Sequence, residues 1–317
     1  MMTSATGSDN LSHNFWRFGA PLLFLLLWAA GFTVGKIGMR DAQPLSLLAL
    51  RYACVLIVLV PPYFYFRPPL PTSWRILLNL CVVGLLIQVL YFGLAYVAIE
   101  LGLSAGGVAL IVSLQPIFVA VLAPSMIGEQ VSWQRWIGLA VGLAGAVLVI
   151  LAKSRVETVT WPSVICALGA LVGMTVGTLF EKKTSAAHPP VHPIIANFVQ
   201  CAVGLVCTLP MAYCFENMPI HWTGSLMFSL AYLVLCNSLI AISLLLAMIR
   251  RGEAARVSAL FFLVPPLAAL IARLVLHEAM PTAAWLGMGL AAAGVALASS
   301  GSLRKTVSCP ADKKISA

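Results

Sequence analysis

The 317 residues are 61% hydrophobic and only 9% charged, whereas soluble domains run at roughly 45–50% apolar and about 25% charged. Ten acidic and nineteen basic side chains cannot furnish a polar skin for a chain this long, which excludes a cytosolic enzyme, a disulfide-rich secreted domain and a disordered polypeptide. The net charge of +9 needs no nucleic acid to explain it, because short basic loops between membrane spans give the same excess.

After a polar tail over 1–18, apolar stretches of roughly the 20 residues that cross a bilayer follow in succession. They cover 19–38, 43–64, 76–98, 102–123, 133–152, 160–180, 192–213, 224–248, 255–276 and 281–300, and a second polar tail covers 301–317. The pattern predicts an all-α polytopic membrane protein of ten transmembrane helices with short connections. Arg17 and Ala29-Ala30-Gly31 outline a signal peptide only superficially, since the apolar run continues past them. On alternate sides of these spans, thirteen Lys and Arg fall with the tails, and four (Lys36, Arg40, Lys153 and Arg155) fall opposite. The positive-inside rule then puts both tails in the cytoplasm.

The chain repeats itself at an offset of 149 residues: Ser104–Ile150 against Glu253–Ser299 gives 12 identities in 47 positions without a gap. Shared hydrophobicity supplies Ala and Leu matches, but not Pro116/Pro265, Glu129/Glu278, Trp136/Trp285, Gly138/Gly287 and Gly145/Gly294 in one register. The same offset sets Gln88 over Asn237 and Arg51 over Gln200. The expected units are 19–152 and 160–300, joined by a linker at 153–159. Five helices per unit is odd, so the second unit enters the membrane from the opposite side. Such inverted repeats recur in secondary transporters, with the substrate held between the halves.

These features resemble the drug/metabolite transporter superfamily, specifically its EamA-type members. The resemblance rests on an apolar fourth span with its Pro, then Gly128-Glu129 (His277-Glu278 in the second unit), then a Gly-rich fifth span. Trp28, Lys36, Pro44 and Arg51 match the family's first unit. It covers roughly 19–300 and departs from the pattern at His277 and Gln200. Family members export amino acids, other metabolites and drugs, so the resemblance implies export without naming a substrate. It also implies a pocket built mainly from the first, third and fourth helices of each half.

Within that frame, mid-depth aromatic and amide side chains are the candidate substrate-binding wall: Trp28, Phe32, Gln88, Tyr91, Gln115, Asn237 and Phe262. A membrane amide faces protein or water, because hydrocarbon leaves it unpaired, and helix–helix contact is the alternative role for each. Pro116, Pro265, Glu129 and Glu278 read as structural, the acids favoured at helix starts by the helix dipole. Arg51, two turns inside its span, either meets a substrate carboxylate or ties helix ends together. Asp occurs only at 9, 41 and 312, so no mid-membrane acid relay is visible, and coupling through an acid near a mouth such as Glu100 stays open.

No catalytic residue, cofactor or metal site is expected. Gly35-Lys36 lacks the rest of a phosphate loop, the eight Cys form no C-x-x-C, and prolines surround His188 and His192. The reading is therefore an inner-membrane secondary transporter working by alternating access on a small molecule among membrane lipids. A homodimer stays open, and the alternatives are a passive channel, a non-transporting scaffold and, less favoured, a membrane-embedded enzyme.

Overall fold

The computed structural model describes residues 15–71, 73–127, 133–154, 159–187, 191–216, 220–244, 248, 264–277 and 281–303, and the regular structure among them is helical throughout. We label the helices α1 (Ala20–Gly38), α2 (Pro44–Phe66), α3 (Trp74–Glu100), α4 (Ala105–Val112), α5 (Gln115–Ile127) and α6 (Trp133–Ser154). The second half supplies α7 (Trp161–Ala187), α8 (Pro193–Phe215), α9 (Gly224–Leu244), α10 (Val264–Leu276) and α11 (Thr282–Leu303). Six of them (α1, α2, α3, α7, α8 and α9) are long and apolar enough to cross a bilayer.

Local chemistry explains the boundaries. Pro44 and Pro193 open α2 and α8 in the first turn, where a missing N–H costs nothing. His192 caps α8, its Nδ1 accepting from Ile194 N at 3.3 Å. The distortion expected at Pro116 is a break: α4 ends at Val112 and α5 starts at Gln115. α7 outruns its apolar stretch because Glu181, Lys182 and Lys183 are good helix formers.

Two helices depart from α geometry at equivalent places. α3 carries a π-helical segment over Leu85–Tyr91 and α9 one over Tyr232–Ala241. Shifted by the 149-residue offset, the first falls inside the second, and the two segments hold Gln88 and Asn237. Single π turns are rare and concentrate at functional sites.

The two halves exchange their first helices. α1 packs on α9 and α10, while α7 packs on α3, α4 and α5. Equivalent helices also meet each other: α2 with α8, and α6 with α11. The last pair crosses backbone to backbone. A Cβ on Gly294 would lie 2.6 Å from Gly138 O, and one on Gly287 2.6 Å from Val149 Cγ2, so only glycine permits this approach.

At one end of the bundle the halves are tied by polar bonds. Gln43, the N-cap of α2, makes no side-chain capping bond, and Pro44 has no N–H. The next two amides are met by Glu216, at the end of α8. Leu45 N donates to Oε1 at 2.7 Å, and Ser46 N and Oγ donate to Oε2 at 2.8 and 2.9 Å. A carboxylate at a helix N-terminus is favoured by the dipole as well as by these bonds. Beside it, His221 N donates to Asp41 O at 2.8 Å and Thr223 Oγ1 to Asp41 Oδ2 at 2.7 Å.

Candidate functional site

A cavity lies where α1, α2 and α3 of the first half meet α9 of the second. Its walls are Trp28, Gly31 and Phe32 from α1, Arg51 from α2, Tyr91, Phe92, Ala95 and Tyr96 from α3, and Asn237 from α9. Residues three and four apart share a helix face, which explains why Trp28, Gly31 and Phe32 look the same way, as do Tyr91/Ala95 and Phe92/Tyr96. The space left is about 20 Å³, room for about one water molecule, so this conformation admits no larger solute.

The closure has identifiable contacts. A Cβ on Gly31 would run into the Asn237 amide, and one on Gly35 would meet Tyr96 Oη at 2.8 Å. Glycine at these two positions lets α1 lie directly against a polar side chain of α9 and another of α3.

Arg51 carries the only charge in the cavity wall among the described residues and is 4% exposed. It sits seven residues below Pro44, about 10 Å along the helix axis. Its Nε and Nη2 donate to Ser238 Oγ at 3.3 and 3.0 Å. Ser238 gives its own proton to Leu233 O at 2.9 Å, within the π segment, leaving its lone pairs for Arg51. The guanidinium carbon stands 4.6 Å from the Phe92 ring centroid, a cation–π contact, and the Tyr96 phenol faces the same group. The remaining nitrogen, Nη1, is buried without a hydrogen-bond partner.

The neighbouring residue fixes this arrangement. Tyr52 is 1% exposed, and its Oη donates to Gln88 O at 2.6 Å. That bond ties α2 to the π segment of α3, from which Tyr91 and Phe92 project.

Of the candidate wall residues, Trp28, Phe32, Tyr91 and Asn237 line the cavity. Gln88 does not. It turns toward α8, with Nε2 4.0 Å from Cys201 Sγ and its Cβ beside Gly204. Gln115 lies at the α5–α7 contact, its Nε2 donating to Thr178 Oγ1 at 3.1 Å. Glu100 is exposed at the end of α3, away from the cavity. Phe262, Gly128, Glu129 and Glu278 lie outside the described residues. Among the described residues, Pro265 is buried in the first turn of α10, and no group of three or more His, Cys, Asp or Glu is placed to hold a metal ion.

Phe92, Tyr96 and Ser238 were not among the expected wall residues. Phe92 and Tyr96 had a signal, being four apart and one residue on from Tyr91 and Ala95. Ser238 had none, because its role depends on the π turn.

The sequence profile of the EamA-like transporter family matches residues 16–151 and again 161–300. The chain belongs to the EamA-like transporter family. It is an integral membrane protein built on that family's two-repeat plan. It is 24% identical to the uncharacterized inner membrane transporter YedA of Escherichia coli K12 over 284 residues, covering 90% of each chain. It is 27% identical to a probable amino-acid metabolite efflux pump of the same organism, covering 86% of this chain and 91% of that one. A probable terminal-alkyne amino-acid exporter of Streptantibioticus cattleyicolor is 25% identical, with 88% of this chain and 91% of the exporter covered. A crystal structure aligns with a TM-score of 0.65 at 18% identity, covering 90% of this chain and 97% of the other, a likeness of fold.

Proposed function

We propose that this EamA-family protein is a secondary transporter that exports a small metabolite by alternating access through the cavity described above. The observation that carries the proposal is the origin of the wall. Three helices of the first half face Asn237 of the second across a space too small for a solute in this conformation. A site shared between repeats becomes accessible from either side when one repeat rocks against the other. In this reading ten spans form two inverted five-helix units, 19–152 and 160–300, with both tails in the cytoplasm of a bacterial inner membrane. The Glu216 and Asp41 bonds then lie at the outer end and hold it shut. Export is supported by the efflux and exporter names of the relatives.

The test is counterflow in proteoliposomes, with amino acids, other organic acids and cationic drugs as paired internal and external solutes. A carrier accumulates external label against saturating internal solute, whereas a channel only equilibrates it. Saturable counterflow is the expected result. Equilibration without saturation, or no flux of any solute through protein of intact fold, would overturn the proposal.

A further inference from the structure

We infer that the substrate carries a carboxylate on an apolar or aromatic body, and that Arg51 is the anchor of that carboxylate. This rests on the cavity being the transport site. Arg51 is buried at 4% exposure, and its contacts include the Ser238 hydroxyl, the Phe92 ring and the Tyr96 phenol. It makes no ion pair among the described residues. A buried, uncompensated cation is among the more expensive things a fold can hold, and cations inside membrane proteins mark sites by default. The ordinary structural explanation is that a long basic side chain reaches back to a membrane face or to helix-end carbonyls. Arg51 does neither: it points across to α9, with Nη1 left unpaired in the wall of the cavity.

One free guanidinium arm matches one carboxylate oxygen, with the Ser238-bonded Nη2 beside it to complete a forked contact. Most of the remaining wall is aromatic (Trp28, Phe32, Tyr91, Phe92 and Tyr96), with the Asn237 amide its other polar side chain, so the body of the ligand is largely apolar. Among the described residues no carboxylate lines the cavity, so nothing described there pairs with a cationic drug, and an amino group on the ligand is dispensable. At 4% exposure and about 10 Å inside the span, Arg51 is closed to lipid headgroups, which leaves a free solute as the anion.

The experiment uses the full-length protein in detergent and measures binding of four probes at pH 7: L-phenylalanine, 3-phenylpropanoate, 3-phenylpropanamide and 3-phenylpropylammonium. Both acids bind, and the amide and the amine bind about tenfold or more weakly, the size of one lost charged hydrogen bond. Arg51→Gln erases that acid-over-amide ratio, and Arg51→Lys keeps part of it. A merely structural arginine would change stability and leave the ratio untouched. If Arg51→Gln does not fold, the ratio in the unmodified protein decides alone. Amide or amine binding equal to the acids, failure of both acids to bind, or a ratio retained in Arg51→Gln overturns the proposal. Counterflow of the same probes separates the two readings. Acid-selective binding without flux leaves the anion site standing and removes transport. Flux of the amide or amine matching that of the acids removes the anion site and leaves transport.

Discussion

Removing the Glu216 carboxylate should cost more stability than any other single surface-end change, and the structure sets the amount. Glu216 is 9% exposed and accepts three hydrogen bonds: two from the first amides of α2 and one from the Ser46 hydroxyl. Each bond to a charged acceptor contributes about 1.5–3 kcal/mol net. The sum overstates the loss, because amides in a helix's first turn lie where water can replace a lost partner. The cost for Glu216→Ala is therefore placed at about 3–5 kcal/mol, below the full sum of three bonds to a charged acceptor. Glu216→Gln keeps one acceptor oxygen but turns an NH2 toward the other donors, for roughly half that cost. Thermal unfolding of purified protein reads the difference as a fall of roughly 5–10 °C for Ala, with Gln between it and the unmodified chain. Because the bonds join α8 of one half to α2 of the other, losing them also frees that end of the bundle to open. Reaction of a cysteine placed at Gln43 with a membrane-impermeant thiol reagent should therefore speed up in Glu216→Ala. An unchanged melting temperature would refute the energetic argument. A lowered melting temperature with unchanged labelling would confine Glu216 to capping and remove it from closure.

Three further outcomes test the contacts around the cavity. Gly31→Ala forces a methyl into the Asn237 amide and should destabilise by about 1–3 kcal/mol, the usual cost of overpacking. Adding Asn237→Ala should restore at least half of that loss, and a purely additive double mutant in thermal unfolding would break the link. Tyr52→Phe leaves Gln88 O unpaired in a buried π segment and should cost about 1–3 kcal/mol. It should also shift the Kd for bound ligand, through the displaced Tyr91 and Phe92, and a normal Kd would detach the π segment from the site. Gln115→Ala, away from the cavity on Thr178, should leave the KM of counterflow within about twofold, while Asn237→Ala changes it by about tenfold. Equal effects from the two would remove Asn237 from the wall.

Hydropathy made the helices legible because a span must be apolar over its whole length, and the expected 43–64 and 192–213 fall within two residues of Pro44–Phe66 and Pro193–Phe215. It could not foresee that α7 runs on to Ala187, since polar helix formers end an apolar run without ending a helix. Nor could it reveal the π segments, where one extra residue per turn changes which side chains share a face without altering composition. That is why Gln88 and Tyr91, three apart and on one face of a regular α-helix, point to different places. Tyr91 lines the cavity, while Gln88 faces α8. The exchange of first helices was equally hidden, because α1 and α7 bury the same kind of surface whichever half receives them.

The 149-residue offset also explains why the charged pocket stands at only one of two equivalent places among the described residues. The mate of Arg51 is Gln200 and the mate of its partner Ser238 is Val89, so the charge and the hydroxyl that receives it are absent together from the symmetry-equivalent place. The small residues are reversed as well. On the Gln200 side, a Cβ on Gly84 would sit 2.9 Å from Gln200 Cα, and one on Gly204 would sit 2.8 Å from the Tyr52 ring. Helices α3 and α8 therefore press backbone to backbone, and no space remains between them. On the Arg51 side, the mates of those glycines are Leu233 and Val55, which hold α2 and α9 apart and leave room for a guanidinium between them. The backbone can thus keep the symmetry that lets two halves exchange positions, while side chains at four pairs of equivalent sites confine the charged pocket to one of its two possible places.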